Sequence, residues 1–393
     1  MKQLLSLSTL YPNPANPRFG TFVARSLEAL AARGDWEVTM INPMGVPPIA
    51  FGKYRAIRDA AIDGQEHGVR VLRPVFPLIP KIGGRINPAL IARAVWPLVR
   101  QLHESHHFDV MDAQFFYPDG PAVAALAARL NVPFSIKARG ADIHYWGGQG
   151  GACKQMRSAA SKADGLLAVC GALADDMAAL GLPRDKITLH YTGLDRIRFS
   201  PADRAEARKN LRAALDIPLP ENAPVLASVG ALIPRKGQEF VIGALPEIPN
   251  AHLLLVGKGE DEARLKLLAH QSGGANRVHF LGLLDHNLLP LVLNAADAMV
   301  LPSSSEGLAN AWVEALSCGT PLVITDAGGA RELVTHRDAG LIVERNTPAI
   351  AQGIHTLLAD PPPREKVAAM AARFSWEANA DSLANYYETL IRT

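Results

Sequence analysis

Short apolar runs alternate with longer segments whose apolar residues recur at helical spacing, from one end of the chain to the other. Runs such as 225–232 and 298–301 are apolar at nearly every position, as expected of strands buried on both faces of a parallel sheet. The pattern predicts first-half strands at 3–10, 36–42, 69–74, 110–116, 133–138, 165–170 and 186–191. In the second half it predicts strands at 225–232, 252–256, 278–281, 298–301, 321–325 and 340–343. The intervening segments read as helices, among them 21–33 and one opening near Gln238. Strand and helix in regular alternation are the signature of βαβ units and parallel sheets.

At 393 residues the chain exceeds one typical core and points to two domains. Pro201, Pro218, Pro220 and Pro224, around a charged helical stretch at 202–214, place the junction within 190–223. The expected architecture is therefore α/β: two doubly wound, Rossmann-like parallel-sheet domains, 1–200 and 201–373, facing across a cleft. The tail 374–393 reads as an amphipathic helix with Leu383, Tyr387, Leu390 and Ile391 on one face. No strand follows it, so it is expected to cross back onto the first domain.

Composition narrows the function. The chain is 48% hydrophobic and 20% charged with a net charge of +2, and it lacks interleaved basic and aromatic residues, which argues against nucleic acid. Cys153, Cys170 and Cys318 fit neither a disulfide framework nor a zinc site, and the reading is a cytoplasmic protein. The first ten residues carry one basic residue and too short an apolar run for a signal peptide.

The segment Ser303-Ser-Ser-Glu306-Gly307-Leu308-Ala309-Asn310-Ala311-Trp312-Val313-Glu314 follows the strand at 298–301. It sets two carboxylates eight residues apart across a loop-to-helix junction. With a helix opening near Leu308, Glu306 stands at its positive end and Glu314 about two turns in, about 10 Å along the axis. That gap suits a diphosphate: the N–H groups of Gly307, Leu308 and Ala309 would hold phosphates, while each glutamate accepts from sugar hydroxyls. The plain alternative is two glutamates that favour the helix dipole on an ordinary surface.

Other strand ends lower the weight of that alternative. Pro234-Arg235-Lys236-Gly237 puts two cations on a constrained turn, where Arg235 would meet a phosphate in bidentate fashion and Lys236 as a point charge. Gly257-Lys258-Gly259 lacks the third glycine of a dinucleotide fingerprint and reads as a plain turn. Gly328 and Gly329 either bring backbone close to a ligand or simply make a tight turn. In the first half, the proline-stiffened loop 11–20 ends at Gly20, which would allow a phosphate or an acceptor hydroxyl to approach. Arg139, Asp142 and His144 cluster at another strand end, where Asp142 or His144 would orient an acceptor hydroxyl and Arg139 would complement negative charge.

The segment 81–103 has Ile86, Leu90, Ala94, Leu98 and Leu102 at helical spacing, bordered by Lys81, Arg85, Arg93 and Arg100. A core helix interrupted at Pro97 and a peripheral helix meeting anionic lipid at the inner face of a membrane both fit this pattern. No Asp-x-Asp motif and no His/carboxylate cluster with metal-ligand spacing occur, which favours a mechanism without metal or other cofactor.

On these residues the chain resembles glycosyltransferase family 4, the retaining enzymes of the GT-B fold. The resemblance rests on the loop ending at Gly20, on Arg139-Gly140-Ala141-Asp142, on Tyr191-Thr192-Gly193-Leu194-Asp195 with Phe199 and Pro201, on Arg235-Lys236-Gly237, and on the Glu-x7-Glu spacing of Glu306 and Glu314. It implies a nucleotide diphosphate sugar as donor and a glycan or lipid-linked acceptor. It also implies that Arg235 and Lys236 bind the diphosphate and Glu306 the donor sugar, that Gly307 and Leu308 touch phosphate through backbone, and that Glu314 binds the ribose. Backbone near Leu283 and Leu284 would read the base. Where members often carry Arg after the glycine at 230, this chain has Ala231, so phosphate binding would lean on Arg235 and Lys236. Where many carry His before the acceptor-side glycine, it has Arg139. A nucleotide-sugar epimerase or hydrolase and a non-catalytic binding subunit are the alternative readings.

Overall fold

The computed structural model describes residues 1–79 and 83–392. They form two compact units, residues 1–193 together with the terminal helix, and residues 194–375. The first unit contains β1 (Lys2–Leu7), β2 (Trp36–Ile41), β3 (Met44–Val46), β4 (Gly64–Glu66), β5 (Val69–Leu72), β6 (Val75–Pro77), β7 (Val110–Ala113), β8 (Phe134–Ala138), β9 (Gly165–Ala168) and β10 (Ile187–Leu189). Its main sheet runs β10-β9-β8-β7-β1-β2-β5-β4, and β3 pairs with β6 in a separate ribbon. The main sheet is parallel except where β4 meets β5. All seven strands expected from the apolar runs form. The three others are three-residue segments, too short for periodicity to mark.

The second unit holds a six-stranded parallel sheet of β11 (Val225–Val229), β12 (His252–Val256), β13 (Val278–Gly282), β14 (Ala298–Leu301), β15 (Leu322–Thr325) and β16 (Gly340–Val343). Their order is β13-β12-β11-β14-β15-β16, which makes β11 and β14 the central pair. Leu226, Leu253, Leu255, Val300 and Val323 are fully buried in one core with helix residues such as Val241 and Ile354. Strands covered on both faces explain why these segments read as unbroken apolar runs.

The tail helix Trp376–Ile391 belongs to the first unit, as expected. Leu383 and Tyr387 are fully buried in that unit's core beside Trp36, whose ring centre lies 5.6 Å from that of Tyr387. Burial of such a side chain contributes about 1.5–3 kcal/mol. Polar contacts fix the docking: Tyr387 donates its hydroxyl proton to Asp112, Ser26 donates to Asn379 at 2.6 Å, and Asn379 donates to the Tyr191 carbonyl at 2.6 Å.

The helix Asn87–His106 corrects one expectation. It runs through Pro97 without ending there, and its apolar stripe at Ile91, Val95 and Val99 is fully buried, against the helix Asp119–Leu130. Of the stripe read from the sequence, Leu102 is buried, Leu90, Ala94 and Leu98 are half-buried and Ile86 is exposed; Lys81 lies outside the described residues. Among the described residues no helix is long and apolar enough to cross a membrane.

Candidate functional site

In the second unit the sheet order brings together the loops that leave the carboxyl ends of β11, β14 and β15. Ser304 N–H donates to the Arg235 carbonyl at 2.8 Å, and Gly329 N–H to the Gly307 carbonyl at 2.8 Å. Gly328 is left-handed at φ 52°, and a Cβ there would lie 2.3 Å from the Gly307 carbonyl oxygen, so only glycine lets these two loops touch. Its close approach is to the neighbouring loop. Arg345 bridges from the end of β16, donating to the carbonyls of Pro302 at 2.9 Å and Pro234 at 2.7 Å with its guanidinium over the Phe240 ring. Sequence reading missed Arg345, because a lone Arg after a strand carries no signal.

The charges converge on one carboxylate. Lys236 pairs with Glu306, and Arg235 Nη1 lies 3.5 Å from the same carboxylate while donating to the Ser305 carbonyl. The Glu306 side chain is 8% exposed and that of Lys236 12%, whereas that of Arg235 is 44% exposed. This burial excludes the reading of Glu306 as ordinary surface. Two cations against one anion leave the cluster with a net positive charge, in a setting where Coulomb terms exceed those in water.

The helix after Glu306 starts later than expected. It spans Asn310–Ser317, because Ala309 is extended and lacks a side-chain cap. Glu314 accordingly lies about one turn in, about 6 Å along the axis rather than 10 Å. The delay leaves Gly307, Leu308 and Ala309 as loop, and among the described residues their N–H groups have no hydrogen-bond partner. Glu314 is largely buried, with His286 Nε2 3.5 Å from its carboxylate. His286 in turn contacts Arg198 at 3.0 Å and sits edge-on to Phe199. Burial, reinforced by the Glu314 carboxylate, pushes the nearby Cys318 thiol up to about 12. Leu284 follows β13 and is half-buried, on a loop that is otherwise exposed from Leu283 to Asn287.

In the first unit the expected trio separates. Asp142 is fully buried, and its carboxylate accepts from the N–H groups of Phe116 at 2.8 Å, Arg139 and Gly140 at 2.9 Å, and Ile143 at 3.1 Å. Both oxygens are engaged in shaping the loops, which corrects the expectation that Asp142 orients an acceptor hydroxyl. Burial raises its pKa against the opposing pull of those donors. Arg139 is half-buried; it donates to Gln114 through Nε at 3.1 Å and Nη2 at 2.5 Å and lies over the Phe22 ring. Desolvation lowers its pKa to about 10. His144 is exposed and sits 2.9 Å from Asp176. Gly20 caps its helix at φ 74°, and a Cβ would lie 2.5 Å from the Leu10 carbonyl oxygen, so its own loop already fills the close approach.

The same sheet end holds ionisable groups that sequence reading did not single out. Lys137 contacts His190 Nδ1, and His190 Nε2 lies 2.9 Å from the Asn379 carbonyl. Burial lowers the pKa of both Lys137 and His190. Asp119 accepts from Thr9 N–H and hydroxyl, each at 2.9 Å, and so ties the start of the proline-rich loop to the first turn of the helix Asp119–Leu130. Burial pushes its carboxyl up to about 7. Such residues read as generic polar positions until the fold buries them.

The chain is similar to known glycosyl transferases. Residues 19–193 match the family model described as glycosyl transferase 4-like domain, and residues 211–374 the model described as glycosyl transferases group 1. A teichuronic acid biosynthesis glycosyltransferase, so named, of Bacillus subtilis is 27% identical over all of this chain and 99% of its own length. A GDP-mannose-dependent monoacylated alpha-(1-6)-phosphatidylinositol monomannoside mannosyltransferase of Corynebacterium glutamicum is 34% identical over 50% of this chain. The chain spans about half the length of the curated relatives it matches at 30% identity or more, 55% for this mannosyltransferase. The structure of sucrose-phosphate synthase from Thermosynechococcus elongatus covers all of both chains at TM-score 0.81 and 21% identity, a likeness of fold.

Proposed function

We propose that this chain, which has the GT-B fold, is a glycosyltransferase that transfers a hexosyl unit from a nucleotide diphosphate sugar to a glycan or lipid-linked acceptor, with retention at the anomeric carbon and without a metal. The observation that carries this reading is the buried Glu306 carboxylate shared by Lys236 and Arg235, beside three unpartnered backbone N–H groups at 307–309. Donor binding would be assigned to 201–373 and acceptor binding to 1–200, where Arg139 and His144 remain the candidate contacts.

In this mechanism the donor diphosphate takes over the two cations and the loop N–H groups, which frees Glu306 to accept from donor-sugar hydroxyls. Glu314 then holds the ribose, its orientation set by His286, and backbone at Leu284 lies toward the base. The bond from the anomeric carbon to the diphosphate oxygen breaks with its electron pair on the oxygen. Arg235, Lys236 and the loop N–H groups stabilise that charge; one donor of this kind is typically worth about 10²–10³ in rate. The acceptor oxygen bonds to the same face of the carbon while its proton passes to the departing phosphate oxygen, so no enzymic nucleophile is required. Support comes from the dense positive charge at the site and from the position of Glu306, which is held by cations.

A thermal-shift screen of UDP-, GDP- and ADP-sugars tests the donor, since a ligand at 100 times its Kd adds about 2.7 kcal/mol of apparent stability. NMR of the product tests the stereochemistry, and an inverted anomer would overturn retention. Epimer formation, or hydrolysis of donor alone as fast as acceptor-dependent transfer, would overturn the transferase reading.

A further inference from the structure

At the amino ends of β11, β12 and β13 the second unit has a cleft of about 470 Å³, whose lining includes Glu221, Asn222, Asn250, His252 and Arg277. That volume lies in the range of small-molecule sites. The loops that carry Arg235, Lys236 and Glu306 leave the other end of the same sheet, a strand length away, about 16 Å. Backbone pairing holds the cleft residues in place: His252 N–H donates to the Pro224 carbonyl at 2.8 Å and Leu253 N–H to the Arg277 carbonyl at 2.7 Å.

Arg277 is half-buried and anchored through a single nitrogen. Its Nη1 donates to the carbonyls of Leu245, Ile248 and Ala251, each at 3.2 Å. Among the described residues its Nε and Nη2 have no partner, and no carboxylate pairs with it. The Nε and Nη2 edge is the planar fork that takes two oxygens of one anion, and here it is fixed before an anion arrives. His252, 8% exposed, supplies a second donor. Its Nδ1 lies 2.9 Å from His279 Nε2, with the two rings stacked 9° apart. Burial, then the Arg277 charge, lowers the pKa of His252, and burial pushes His279 down to about 4. Both rings are therefore neutral at about pH 7 and share one proton across that contact. When His279 donates it, His252 carries its own proton on Nε2, a nitrogen without a partner among the described residues. Glu221, the one acid of this lining, is exposed, and its carboxylate lies 3.4 Å from Arg212. Arg277 is thus the cation of the cleft that no acid neutralises.

We propose that this cleft is a second ligand site, for a small hydroxylated molecule that bears a phosphate monoester. Two phosphate oxygens accept from Arg277 Nε and Nη2, and a third accepts from His252 Nε2. A carboxylate, with two oxygens, would fill the fork and leave His252 unmet. The side-chain amides of Asn222 and Asn250, both exposed at the rim, meet the hydroxyls of the body. The inference goes beyond the transferase reading and depends on neither its donor nor its acceptor.

The test is titration of the full chain with glucose 6-phosphate, inorganic phosphate and glucose, read by calorimetry and by NMR of the histidine rings. The expected result is that glucose 6-phosphate binds more tightly than phosphate and glucose does not bind. The ring signals of His252 and His279 should move while that of His286, beside Glu314, stays. Asn222→Asp/Asn250→Asp sets negative charge at the rim, and Asn250, left-handed at φ 60°, accepts Asp as readily as Asn. This variant should weaken binding about tenfold. Arg277→Lys keeps a charge but loses the fork and should weaken it by at least about tenfold. The asparagine pair leaves the anchors of Arg277 untouched, so it tests the site even where Arg277→Lys lowers stability. No binding by the parent, or equal binding by the asparagine variant, overturns the proposal. So does movement of His286 without His252, which would put the phosphate in the donor site, or glucose 6-phosphate that binds no more tightly than phosphate.

Discussion

Lys236 and Glu306 stand seventy positions apart and form a nearly buried ion pair, with the half-exposed Arg235 3.5 Å from the same carboxylate. Removing Glu306 leaves Lys236 buried without its carboxylate, and removing Lys236 leaves Glu306 only the half-exposed Arg235, whereas removing both leaves neither charge stranded. Lys236→Met and Glu306→Gln are each expected to destabilise the fold by about 3 kcal/mol, and the double variant by clearly less than their sum. Urea denaturation of the four proteins measures the cycle; additive effects would show that the pair is not coupled.

Transfer should respond differently. Lys236→Ala is expected to lower kcat about 10²–10³-fold, because in the proposed mechanism the charge that it meets develops as the donor diphosphate departs. A change confined to KM would place Lys236 in ground-state binding only.

Glu314 and His286 give the complementary case. Because the proposed ribose contact would be unchanged along the reaction, Glu314→Gln is expected to raise the donor KM about tenfold with kcat nearly intact. His286→Ala should act in the same direction and more weakly, since it acts through Glu314. Steady-state kinetics at saturating acceptor separates these outcomes from the Lys236 phenotype.

Tyr387 donates to Asp112 inside the first unit and seals the terminal helix against the sheet. Tyr387→Phe keeps the ring packing and removes one donor from a buried carboxyl, at a cost of about 1–3 kcal/mol. Tyr387→Ala also opens a cavity and should cost about 3–5 kcal/mol. Chemical denaturation checks both, and protection of the terminal helix from proteolysis should fall in the same order.

Asp119 sets a pH dependence. Its carboxyl is raised from 3.8 to about 7 by burial, so the folded protein binds a proton that the unfolded chain has lost. Its contribution is therefore fully present below about pH 4 and is lost as pH rises through about 7. Asp119→Asn should flatten that part of the stability profile, seen as a smaller difference between urea midpoints at pH 5 and pH 8 than in the parent.

How far the chain was legible before folding depends on the range of the interactions involved. Alternating apolar runs fixed the two parallel sheets, since a strand buried on both faces must be apolar throughout, and the strand ends marked Arg235, Lys236, Glu306 and Glu314. Periodicity shows that a face is buried, but not what covers it. The segment 81–103 therefore read as core or as membrane contact, and only the fold shows Ile91, Val95 and Val99 buried against the helix Asp119–Leu130. Its place at a strand end likewise marked Asp142 as available, whereas the fold surrounds it with four backbone N–H donors. The sequence alone determined the architecture and the residue types at the loops, because local propensity and burial are written in spacing. Only the tertiary structure decided which charges meet, as in Lys236 with Glu306, and which surfaces stay open, because contacts between loops distant in the chain depend on strand order.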